Sequence, residues 1–278
     1  MAVADDLRLL LDGLAAGPAC LINVESTEGS VPREPGAWMA VFADGIVGTI
    51  GGGHLEHRAI AEARRRLSGV PGPAQQRYAL GPALGQCCGG VVHLGFEILS
   101  AADLADASGL VARLAPRRFP VALFGGGHVG HALARVLAPL PFALTWIDSR
   151  DGIFPPAPPD GVVCEHSDPV HLAVPGLAPG TRVLIMSFSH AEDLDVVAAC
   201  LRRQREQGDL PFVGLIGSKT KWATFSNRLH RRGFAQEELV HVTCPIGIPG
   251  IAGKEPEVIA VAVAAQLLQT LAIGATSG

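Results

Sequence analysis

The stretch 119–130, FPVALFGGGHVG, decides the fold. Val121 to Phe124 is an unbroken apolar run of strand length, as in a strand covered on both faces. Gly125, Gly127 and Gly130 then match G-x-G-x-x-G, and Val129, Leu133, Val136 and Leu137 follow on one side of a predicted helix. Glycines here let the backbone approach a phosphate, whose charge sits at the helix N-terminus. The next predicted strand, 142–148, ends in Asp148, where an acidic residue would read a ribose hydroxyl. His128 stands in the turn itself, placed to contact a phosphate or to face solvent.

Outward from this turn, strands and helices alternate. The pattern predicts strand 121–124, helix 128–138, strands 142–148, 161–165 and 182–188, helix 193–207, strand 212–216 and helix 219–232. That alternation marks a Rossmann-like, doubly wound parallel sheet, here over residues 119–278. Residues 1–100 read as a smaller α/β domain. It has a helix at 3–16, apolar strands at 19–26, 37–42 and 45–50, and a strand at 91–99. A helix at 54–68 repeats Leu55, Ala59, Ala63 and Leu67 every four residues. Residues 101–118 lack strand signals and read as an interdomain helix and linker. The fold class is therefore α/β, with two domains.

Composition excludes several classes. The chain has 22 Lys+Arg against 26 Asp+Glu, a net charge of −4, which argues against nucleic acid as a partner. With 48% hydrophobic and 17% charged residues it is no disordered chain. Met1 to Asp12 shows no secretory signal, so reduced cysteines are expected. Pro256 to Ile273 is apolar but short for a membrane span and contains Gln266 and Gln269. It reads as a buried or interface helix, and its apolar character predicts a homodimer or other small oligomer.

Further candidates flank the turn. Gly29 to Ala37 packs two prolines around Arg33, presenting a guanidinium suited to phosphate or carboxylate from a stiff loop. Gly51, Gly52 and Gly53 form a second strand–glycine–helix turn, again an anion-friendly nest. Cys87 and Cys88 are adjacent thiols bracketed by Gly85, Gly89 and Gly90, able to meet a soft metal or pass on sulfur. Cys244 is a secondary candidate. His190 follows a strand, and Lys219 opens a helix after one, both at the ligand-binding edge of an open sheet. Gly217 to Thr220 fails as a phosphate-binding P-loop, because Ser218 intervenes before Lys219. His54-Leu55-Glu56 lacks the cysteine pair of zinc deaminases, and no G-x-S-x-G is present.

Together GSVPREPGAWMAV, GTIGGGHLEHRAIAEAR, QCCGG, FGGGHVG, GLIGSKTKWATF and CPIGIPGIAGKEPEVIAVAVAAQLL resemble the xanthine dehydrogenase accessory protein family, XdhC/CoxI-like. The resemblance spans nearly the whole chain. It implies a small N-terminal domain, a C-terminal Rossmann domain and a non-enzymatic role as a cytoplasmic molybdenum-cofactor chaperone. Such a chaperone binds the molybdopterin form of the cofactor and supports its sulfuration with a cysteine desulfurase. It then hands the cofactor to xanthine dehydrogenase. A pterin phosphate would give the glycine turns their anion, and molybdenum would give Cys87 and Cys88 a soft partner. The other reading of the residues is an NAD(P)-dependent oxidoreductase, which Asp148 and the glycine turn would serve.

Overall fold

The computed structural model describes residues 2–80 and 89–273. Cys87 and Cys88 lie outside the described residues. The chain divides into two compact units, Met1–Pro116 and Arg117–Gly278.

The first unit is built on an antiparallel sheet of β1 (Ala19–Glu28), β2 (Trp38–Val41), β3 (Ile46–Gly48), β4 (Gln75–Ala79) and β5 (Val91–Leu99), in the order β3-β2-β1-β5-β4. Side chains alternate across a strand, and β1 uses both faces. Cys20, Ile22 and Val24 pack beneath α2 (Gly53–Leu67), meeting Leu55, Ala59 and Ala63. Ala19 and Leu21 face the other way, onto Leu7, Leu10 and Leu14 of α1 (Ala2–Ala16). Burial on both faces explains why β1 reads as a continuous apolar run.

Segment 101–118, expected as an interdomain helix and linker, does hold a helix, but up to Pro116 it belongs to this unit and packs two leucines into its core. A 3₁₀ turn at Ala101–Asp106 leads into α3 (Ala107–Leu114), capped by Asp106, which accepts from the Gly109 N–H. Leu110 and Leu114 are buried with α1, and Trp38 Nε1 donates to the Leu114 carbonyl at 3.0 Å. Strand β4, QQRYA, escaped the sequence reading because only Tyr78 is buried; as an edge strand it carries little apolar pattern.

The second unit holds six parallel strands: β6 (Phe119–Phe124), β7 (Phe142–Asp148), β8 (Val163–His166), β9 (Arg182–Ile185), β10 (Phe212–Leu215) and β11 (Val242–Thr243). Their order is β11-β10-β9-β6-β7-β8. Renumbered within the unit this is 3-2-1-4-5-6 read from β8, the doubly wound order with its switch point between β6 and β9. Val121 and Leu123 face α4 (His128–Leu137) and α8 (Pro256–Ile273); Ala122 and Phe124 face α5 (His190–Gln207). α6 (Lys219–Arg231) and the short α7 (Gln236–Leu239) complete that second layer. α8 lays Ala260, Val263, Ala264 and Leu267 on the α4 side of the sheet. Val261 and Leu268 of the same helix remain exposed. Among the described residues no helix is long and apolar enough to cross a membrane.

Candidate functional site

The C-terminal edge of the parallel sheet brings four loops together. Gly125 takes φ +122°, a conformation that L side chains rarely adopt, and an added Cβ would run into the Met186 carbonyl oxygen. A Cβ on Gly130 would strike the Gly125 carbonyl, so α4 can sit this close to β6 only without a side chain there. Gly127 differs. It precedes α4 as a cap with no side-chain hydrogen bond, it is exposed, and nothing lies within 4 Å of its Cβ position. The open backbone and uncapped helix end suit a phosphate. His128, also exposed, opens α4 beside it.

Asp148 lies at this edge but is fully engaged. Its Oδ2 accepts from the Gly126 N–H at 2.6 Å and from Arg150 Nη2 at 2.9 Å. Its Oδ1 accepts from Arg150 N at 2.9 Å and Arg150 Nε at 3.0 Å. A carboxylate offers about four lone-pair sites, and all four are used. Burial pushes this carboxyl up, but the Arg150 and Gly126 hydrogen bonds prevail and hold it below the ordinary range. Asp148 therefore fixes the glycine turn and Arg150, with no acceptor capacity left for a ribose diol. Arg150 spreads over the Phe188 ring, 4.5 Å from its centroid. Trp146 Nε1 donates to the Gly125 carbonyl at 2.9 Å, locking the turn from beneath.

The loop after β9 supplies the other half. β9 ends at Ile185 and α5 begins at His190, earlier than the predicted 193, because Ser189 caps it by accepting from the Glu192 N–H at 3.2 Å. His190 is exposed, its ring edge-on to Phe225 at 6.2 Å. Asp193, buried, accepts from the Ser187 N–H at 2.7 Å and from Lys221 Nζ at 2.6 Å. Lys221 also donates to the Ile216 carbonyl at 2.8 Å. The inward lysine is thus Lys221, while Lys219, two residues earlier on α6, is exposed. Two buried oxygens here, Ser187 Oγ and Glu192 Oε2, have no partner among the described residues. Cys244 Sγ lies 4.0 Å from the Ser218 carbonyl; burial pushes this thiol up, while Lys221 pulls it down and Asp193 up.

The first unit has its own convergence. Positions 51, 52 and 53 all take positive φ, which glycine alone adopts freely. A Cβ on Gly51 would lie 2.8 Å from Pro32 Cβ and 3.2 Å from Arg33 Cγ, so the arginine loop rests on the glycine turn. Gly90 packs against Val31 and the Glu28 and Ser30 carbonyls, with Gly29 over its Cα. Gly90 thus lies against the loop that leads to Arg33. Part of the nest is filled from within. Glu56 Oε2 accepts from the Ile50 N–H at 3.1 Å, the Gly52 N–H at 3.0 Å and Thr49 Oγ1 at 2.6 Å. Neither Glu56 nor Arg150 was assigned a role from the sequence. Glu56 sits four residues after Gly52, one helical turn from the nest it fills, and that spacing was the only sign.

Among the described residues no cluster of three or more His, Cys, Asp or Glu side chains could hold a metal ion. The described cysteines, Cys20, Cys164, Cys200 and Cys244, are free thiols.

Residues 121–267 match the family described as the XdhC Rossmann domain, and residues 14–79 match the XdhC and CoxI family. The chain is 28% identical over 257 residues to the uncharacterized protein YqeB of Escherichia coli strain K12. That match covers 91% of this chain and 43% of YqeB, so the chain spans less than half of that relative. The crystal structure of a xanthine dehydrogenase from Bacillus halodurans shares the fold, with TM-score 0.71 at 21% identity over 96% of this chain and 95% of that one. A Rossmann-fold NAD(P)-binding family protein from Shigella flexneri aligns at TM-score 0.35 and 16% identity, over 52% of this chain and 85% of its own. The Rossmann-domain match alone spans more than half of the sequence, and the second match falls within the antiparallel unit: the chain belongs to the XdhC/CoxI family.

Proposed function

We propose that the chain is a maturation factor for a molybdenum hydroxylase of the xanthine dehydrogenase class, carrying molybdenum cofactor as its cargo. The supporting observation is local to the first unit. The Arg33 loop lies on the Gly51–Gly53 turn, and Gly90 packs into the same loop. Arg33 and Gly90, the latter two residues after Cys88 in sequence, therefore stand at one end of the antiparallel sheet. Arg33 would hold the cargo's phosphate, and the two thiols would meet its molybdenum–sulfur end. Cysteine desulfurase would supply the terminal sulfur, and apo-xanthine dehydrogenase would receive the loaded cofactor. Self-association through exposed apolar residues of α8 and a cytoplasmic location belong to the same reading.

The nicotinamide-dependent alternative loses support from Asp148, whose acceptor sites are already filled. The test is molybdenum bound per chain after incubation with molybdenum cofactor, together with activation of apo-xanthine dehydrogenase. The parent should retain cofactor and activate the client. Cys87→Ala with Cys88→Ala should abolish both at unchanged melting temperature, and Arg33→Gln should weaken retention. Equal retention by the double variant would overturn the thiol assignment. Co-elution of NAD(P) without molybdenum would overturn the proposal as a whole.

A further inference from the structure

At the opposite end of the parallel sheet, where β6, β9 and β10 begin, a cavity of about 360 Å³ opens against Arg117, Arg118, Phe119, Gly180, Arg182 and Leu271. Open α/β sheets ordinarily take ligands at the other edge, so this cavity is independent of the glycine turn. Its volume lies near the small end of ligand pockets, roughly 300–1,000 Å³.

Its charge is unbalanced. Arg182 is 6% exposed, yet all its hydrogen bonds go to neutral acceptors. Nε donates to Thr270 Oγ1 at 2.6 Å, Nη1 to the Gly180 carbonyl at 3.2 Å and Nη2 to the Thr270 carbonyl at 3.3 Å. A guanidinium has five N–H donors, so two have no acceptor among the described residues. Arg117 and Arg182 both lie over the Phe119 ring, at 4.9 and 5.2 Å from its centroid. Arg118 spends one N–H on the Phe142 carbonyl at 3.2 Å. No Asp or Glu lines the cavity among the described residues. The negative end of α8 offsets about half of one charge. Burial and the neighbouring Arg117 both weaken Arg182's hold on its proton. Elsewhere in this unit the inward arginines are neutralised: Arg150 by Asp148 and Arg203 by Asp209. A buried cation without an anion is costly, and a bound anion would offset that cost.

We propose that this cavity binds a small phosphate monoester. Three guanidiniums match a dianion better than a single carboxylate, and their forked donors suit phosphate oxygens. Pro179, Pro211 and Leu271 offer an apolar wall to the ester's carbon portion.

The test is titration calorimetry on the full chain with inorganic phosphate, glycerol 2-phosphate, acetate and glycerol. Phosphate and glycerol 2-phosphate should bind saturably at one site, acetate much more weakly and glycerol not at all. Arg117→Gln removes an exposed side chain and should weaken phosphate binding about tenfold, the loss of one charge-assisted hydrogen bond. Arg182→Gln should weaken it further. Arg135→Gln, an equal charge change on exposed α4, should leave binding unaltered. Should Arg182→Gln melt early, Arg117→Gln decides alone. Absence of saturable phosphate binding would overturn the site. So would equal affinity in the parent and Arg117→Gln, or equal losses in Arg117→Gln and Arg135→Gln.

Discussion

Replacing Asp148 by Asn keeps the shape of the side chain and removes its charge. Four hydrogen bonds converge on this carboxylate, from the Gly126 N–H and three donors of Arg150. An Asn amide presents two donors of its own, so at least two of those N–H groups would face another N–H. Breaking a buried ion pair from one side costs about 3–5 kcal/mol. Arg150 keeps 31% of its side chain exposed, which places the cost near the lower end, about 3 kcal/mol. For a domain of this size each kcal/mol is worth roughly 2–4 °C, so the second unit should melt about 6–12 °C lower at pH 7. The acid dependence has a definite sign. The folded carboxyl titrates below its ordinary range, so its contribution is complete above about pH 5 and is lost as pH falls through the lowered value. The gap between parent and variant should therefore hold from pH 8 to about pH 5 and close in more acidic solution. Calorimetric scans across that range measure it. A variant melting within about 2 °C of the parent at pH 7, or a gap that widens in acid, would refute the assigned role of Asp148.

Two further outcomes follow from the glycine turn and the thiols. Gly125→Ala combines positive-φ strain with a clash against the Met186 carbonyl and should cost about 2–6 kcal/mol in chemical denaturation. Gly127→Ala, with φ −76° and open space at its Cβ, loses only the N-cap preference of Gly over Ala and should cost no more than about 1 kcal/mol. Burial pushes Cys20 up to about 11 and Cys200 up to about 12, so iodoacetamide at pH 8 should spare both in the native protein and label both once it is unfolded. Mass spectrometry of tryptic peptides reads this, and native labelling of Cys200 ahead of Cys244 would contradict the packing.

The Rossmann-like half was legible because its signals are local. An apolar run, three glycines at fixed spacing and a 3.6-residue period follow one another within twenty residues, and each reflects backbone sterics or one-sided burial. The same holds for β1, α2 and β5 in the first unit. The packing of 101–116 onto α1 was not legible, since Leu110 and Leu114 are buried against residues far away in sequence, Leu7, Leu10, Leu14 and Trp38 among them. β4 was hidden because an edge strand buries one residue.

At the sites, the sequence identified the right loops and sometimes the wrong atoms. Lys219 and Lys221 flank the same helix start, and only the position of Asp193 decides which ammonium turns inward. Asp148 stands at the strand end where a ribose would be read, yet Arg150, two residues on, consumes its lone pairs. The cation-lined cavity at Arg182 has no sequence signature, because Arg117, Arg182 and Thr270 come from distant parts of the chain. Periodicity and turn chemistry are properties of neighbours along the chain and were determined by the sequence itself. Charge compensation depends on through-space distance, and only the tertiary structure decides which cation meets which anion and which is left without one.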